Sequence, residues 1–68
     1  MQKTQRLIRL KQVMALTGLS RSYVYALAHK GNFPQSVKLS EKSVAWVEGE
    51  VLSWIDSRIK QRDEMKVA

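Results

Sequence analysis

The apolar positions of this chain fall into four blocks with two different periods. Leu10, Val13, Met14 and Leu16 recur at helical spacing and predict a short helix over 10–16. Thr17-Gly18 ends it, because glycine takes up the left-handed conformation that follows a helix without a Cβ clash. Ser20 is placed to cap a second helix over 21–30, its hydroxyl accepting from a backbone N–H of the first turn. Val24, Leu27 and Ala28 mark that helix's inner face. Gly31 closes it, with Lys30 in the last turn where the helix dipole favours a cation. Pro34 keeps Phe33 out of the α region, so Asn32-Phe33-Pro34 reads as a turn. The period then drops to two over 35–46. Val37 and Leu39 alternate with Ser36 and Lys38, and Val44 and Trp46 with Ser43 and Ala45, around the polar stretch Ser40-Glu41-Lys42-Ser43, which predicts a hairpin. The helical period returns over 48–61, where Val51, Leu52, Ile55 and Ile59 form one stripe flanked by Trp54. Glu48 and Glu50 suit the positive N-terminal end of that helix, and Asp56 and Lys60 are an i,i+4 pair in the better orientation. Arg6 to Leu10 reads as a short extended segment.

The chain has 68 residues, so one small core must hold it together. A domain of this size buries only ~60% of the surface its unfolded chain exposes. The expected organisation is a flexible N-terminus over 1–5, a single domain over 6–62 and a polar, fraying tail over 63–68. The chain has no cysteine, which excludes disulfides and thiolate zinc sites. His29, the one histidine, has no company for a metal finger, and no cofactor is expected. No apolar run of about 18 residues exists to span a membrane. The first residues lack the apolar stretch of a secretory signal. The expected location is cytoplasmic. No paired carboxylates, phosphate-cradling glycine loop or nucleophile–histidine–acid set supports an enzyme.

Charge changes the picture most. The net charge is +6, and it is unevenly spread. Residues 1–40 hold Lys3, Arg6, Arg9, Lys11, Arg21, Lys30 and Lys38 and no Asp or Glu. Residues 41–68 hold five cations against six carboxylates. A cationic half of this kind points to a polyanion, most often nucleic acid.

Two helices joined by a tight glycine turn are the helix-turn-helix pattern, in which the second helix lies in the major groove. Leu19 sits in that turn as an apolar plug between the helices. With Val24, Leu27 and Ala28 inward, Ser22, Tyr25, Ala26 and His29 point outward, flanked by Arg21 and Lys30. That face offers a guanidinium, a hydroxyl, a phenol, an imidazole and an ammonium, and no carboxylate. Arginine can fork to guanine O6 and N7, and serine can bond a base or a phosphate. Tyrosine and lysine more often hold phosphates. Tyr23 and Tyr25 each have two readings, contact with DNA or packing on the hairpin. His29 is read as a phosphate contact or simply exposed, Ser20 as a cap, and Trp46 and Trp54 as core. The hairpin supplies a wing with Lys38, Ser40, Lys42 and Ser43 at or beside its tip, able to reach the adjacent minor groove or backbone.

Several stretches carry a further likeness. Arg6-Leu7-Ile8-Arg9-Leu10, Thr17-Gly18-Leu19-Ser20-Arg21-Ser22, Gly31-Asn32-Phe33-Pro34, Val37-Lys38-Leu39, Trp46 and Glu50-Val51-Leu52-Ser53-Trp54-Ile55 together resemble the AlpA family of phage and prophage regulators. That family is related to small excisionases and, more distantly, to the DNA-binding part of MerR regulators. The likeness covers about residues 6–62. It implies a mainly α winged helix-turn-helix of three helices and a small β-hairpin, with recognition through the helix after Ser20. It departs from the family pattern at Ala26, where a basic residue is common. It also departs at Ser36 (often proline), Ser40 (often glycine) and Lys42 (often arginine).

The sequence therefore predicts a sequence-specific, double-stranded-DNA-binding transcriptional regulator of a prophage or integrative element. The expected DNA contacts are Arg21, Ser22, Tyr23, Tyr25, His29, Lys30, Lys38, Ser40 and Lys42. An excisionase that bends attachment-site DNA, partnered by an integrase or by neighbouring copies of itself, is the alternative. A protein-interaction inhibitor of a larger regulator is the third reading, and the acid-free first 40 residues argue against it.

Overall fold

The structure, a computed structural model, describes residues 5–65. Along the chain run β1 (Leu7–Ile8), α1 (Leu10–Thr17), α2 (Arg21–His29), β2 (Val37–Ser40), β3 (Ser43–Val47) and α3 (Glu48–Met65). It is a winged helix-turn-helix: three helices with a small antiparallel sheet of order β1-β3-β2. Residues 1–4, most of the expected flexible N-terminus, and the last three residues of the expected tail lie outside the described residues.

Both helix ends in the helix-turn-helix unit are set by glycine. Gly18 has φ 77°, and its N–H donates to the Met14 carbonyl at 2.8 Å, the single bond of an αL cap. Gly31 has φ 79°; its N–H donates to Ala28 O at 3.0 Å and the Asn32 N–H to Leu27 O at 2.8 Å, the paired bonds of a Schellman motif. Between the helices, the Thr17 hydroxyl donates to Val13 O at 2.8 Å and accepts from the Leu19 N–H at 3.2 Å. Ser20 caps α2, its Oγ accepting from the Tyr23 N–H at 3.2 Å.

The core takes one residue each from β1, α1, α2, β3 and α3 and one from the turn after α2: Ile8, Val13, Val24, Trp46, Val51 and Phe33. Leu10, Leu19, Leu27, Ala28, Val44, Trp54 and Ile55 pack around them. Full burial of one such aliphatic side chain contributes about 1.5–3 kcal/mol. Trp46, on the central strand, is the largest of the fully buried side chains. Its place there follows from register. Ile8 pairs with Trp46, and Lys38 with Val44, so these four share the sheet face turned to the helices. Leu7, Val37, Ala45 and Val47 share the opposite face.

The structure corrects the pattern reading at several places. The extended segment at Leu7–Ile8 is a strand of the sheet, and the Glu48 N–H donates to Arg6 O at 2.7 Å, tying the start of α3 to it. The alternation in β2 does not mark a buried face, because all four of its residues are exposed. Leu39 is an extra residue between the pairs Lys38↔Val44 and Ser40↔Ser43, a bulge that leaves it 48% exposed. The two-residue turn Glu41-Lys42 has no left-handed residue. Such a turn splays the strands it joins, and the bulge absorbs that mismatch. The stripe on α3 is narrower than its spacing predicts. Val51 is buried and Ile55 half-buried, while Leu52 and Ile59 are 47% and 43% exposed. The domain is too thin to cover a wider face. α3 also continues to Met65, so Asp63 and Glu64 are helical. No described helix is long and apolar enough to cross a membrane.

Candidate nucleic-acid interface

The sequence places six candidate contacts on or at the end of α2, and all six are exposed. Val24 is fully buried, with Leu27 and Ala28 half-buried beside it, so the inner face lies where the period puts it. Ser22, Ala26 and His29 lie opposite. Arg21 opens the helix and Lys30 follows it as the C-cap residue. Tyr23 is 54% exposed and does not pack on the hairpin core. Tyr25 packs on the hairpin: its ring leans on Trp46, with centroids 6.0 Å apart and planes tilted by 59°, while 41% of the residue remains exposed.

Lys38, Ser40 and Lys42 are on the hairpin, and all are exposed. Lys38 shares the sheet face of Trp46, the ring on which Tyr25 packs. Ser40 Oγ accepts from the Lys42 N–H at 3.4 Å and helps shape the tip. Among the described residues the ion pairs are Arg6 with Glu48 at 3.9 Å, Lys60 with Asp56 at 3.8 Å and Arg62 with Asp63 at 2.8 Å. None of them engages Arg21, Lys30, Lys38 or Lys42. Those four cations keep their charge available to an outside anion. Asp56, Asp63 and Glu64 stand on α3, so the acidic half of the sequence is carried largely by a different element.

Sequence reasoning missed the device that holds the wing to α2. Gln35 Nε2 donates to the Ala28 carbonyl at 2.8 Å, bonding the last turn of α2 to the root of β2. Trp54 Nε1 donates to Asn32 O at 2.8 Å, and the Phe33 ring meets Trp54 edge-on at 4.8 Å. The connection between helix and wing is thereby bonded to α2 on one side and to α3 on the other. Phe33 before Pro34 was the available signal, since an aromatic residue in a turn implies that something packs on it.

The chain is similar to known proteins of phage and bacterial origin. The chain is 48% identical over 58 residues to uncharacterized protein ORF88 of Enterobacteria phage P4, covering 85% of this chain and 66% of that protein. It is 33% identical over 61 residues to the DNA-binding transcriptional activator AlpA of Escherichia coli (strain K12), covering 81% of this chain and 87% of the activator. The chain thus spans just under two thirds of the phage protein. The family model described as prophage CP4-57 regulatory protein (AlpA) matches residues 6–59, from the strand before α1 into the last turns of α3. On that match the chain belongs to the AlpA family of prophage regulatory proteins.

Proposed function

We propose that this protein is a sequence-specific DNA-binding transcriptional regulator of a prophage or integrative element, working in the cytoplasm. In this reading α2 enters the major groove, and the β2–β3 wing rests on the adjacent backbone or minor groove. The observation that carries it is the surface formed by α2 and the wing. Arg21, Lys30, Lys38 and Lys42 are exposed and outside the ion pairs, and Glu41 at the wing tip is the one carboxylate over residues 21–43. Its relationship to an activator described as DNA-binding supports the same reading. Arg21 at the helix start is placed for a base edge, where recognition helices make such contacts. Ser22 stands beside it, and Tyr23, Tyr25, His29, Lys30, Lys38, Ser40 and Lys42 surround it as backbone contacts.

One copy of so small a domain makes few specific contacts, so neighbouring copies on repeated sites, or an integrase bound nearby, complete the assembly. The test is selection of the purified protein on a random duplex library at about 150 mM salt, where exposed charges more than ~8 Å apart are screened. Enrichment of a single or inverted motif supports the transcriptional reading. Direct repeats would instead favour an excisionase role at attachment sites. Absence of enrichment, together with absence of salt-dependent duplex binding, overturns the proposal.

A further inference from the structure

The outward face of α2 is divided by charge. At about 100° per residue, Ser22, Ala26 and His29 lie at its centre, opposite the fully buried Val24. The cations Arg21 and Lys30 stand at its two ends. The centre therefore holds no guanidinium, ammonium, carboxylate or carboxamide. Those are the groups that read guanine, cytosine and adenine in the major groove, by a forked cation, a carboxylate acceptor and a bidentate amide respectively. What the centre does present, between the Ser22 hydroxyl and the His29 imidazole, is the exposed methyl group of Ala26. The base-edge group that an exposed alanine methyl fits is the thymine 5-methyl. A small side chain there also lets the helix approach the groove floor, which apolar contact requires.

We propose that Ala26 is a specificity-determining residue whose methyl group packs on a thymine 5-methyl, so that an A·T pair lies under the middle of α2. This rests on the reading that α2 occupies the major groove, and it adds the base that the centre of the helix selects.

The test uses the duplex enriched from the random library and a set of copies in which each thymine in turn is replaced by deoxyuridine. That exchange removes the methyl and leaves base pairing intact. Affinities are measured by fluorescence anisotropy for the full chain and for Ala26→Gly. One or two positions should weaken wild-type binding roughly fourfold on loss of the methyl, the equivalent of one buried methyl group. The same exchange should leave Ala26→Gly binding unchanged. Because glycine weakens a helix, Ala26→Ser is measured alongside it and should also lose discrimination. The thymine-to-uracil ratio is taken within each variant, so a smaller folded fraction cancels. A wild-type protein indifferent to every methyl overturns the inference alone and leaves the groove reading standing. So does full discrimination retained by both variants, or enrichment of G·C under the helix centre. Failure to enrich any duplex overturns the inference, and if salt-dependent duplex binding is absent as well the groove reading falls with it.

Discussion

Arg21 and Lys42 stand at opposite ends of the proposed contact surface, and they test different kinds of contact. In the proposed reading Arg21, at the start of α2, contacts a base edge. Arg21→Ala should weaken binding to the selected duplex by about 1–3 kcal/mol and relax preference at one position, measured by anisotropy against single-base variants. In the same reading Lys42, at the wing tip, and Lys30, at the end of α2, hold phosphates. Replacing either with alanine should weaken all duplexes alike and lower the slope of log K against log salt by roughly one unit. Which side chains lie on the outward face of α2 was legible from the period of its apolar positions alone, because Val24 admits only one inward direction. The packing partner of Tyr25 was not legible, because Trp46 stands twenty-one positions further along the chain. Local spacing says nothing about which strand a helix meets.

The elements divide by how much of their geometry is local. The ends of α1 and α2 were readable, since Gly18 and Gly31 admit the left-handed conformation that ends a helix and Ser20 carries a capping hydroxyl. The hairpin was readable as a hairpin but not in its detail. The bulge at Leu39 answers a turn that contains neither glycine nor asparagine, and its effect on side-chain exposure is a tertiary matter. The link between α2 and the wing was hidden for the same reason. Trp54→Phe keeps the aromatic bulk against Phe33 but removes the indole donor to Asn32 O. It should cost about 0.5–1.5 kcal/mol in urea denaturation, the usual net worth of one hydrogen bond. The end of α3 behaves differently. Arg62, Asp63, Glu64 and Met65 are all exposed and none belongs to the core. Ending the chain after Gln61 should therefore shift folding stability by no more than about 0.5 kcal/mol, as for surface changes generally. A larger loss would mean that the last turn of α3 supports the domain.

At the scale of the whole molecule, the uneven charge is the feature that sequence revealed best and structure makes directional. The cationic half becomes α1, α2 and the first strand of the wing, and most of the carboxylates go to α3. With Lys30, Lys38 and Lys42 on phosphates, the slope of log K against log salt should be about −3. The sequence could not show that Tyr25 of α2 packs on Trp46, whose sheet face Lys38 of the wing shares. The central claim is that α2 and the wing, and not α3, meet DNA. The most direct test is titration of the isotope-labelled chain with its selected duplex, followed by amide chemical shifts. The largest changes should fall on Arg21–Lys30 and Lys38–Ser43, with little change along the exposed face of α3 that carries Leu52, Asp56 and Ile59. Changes concentrated on that α3 face, with Arg21–Lys30 unaffected, would contradict the account.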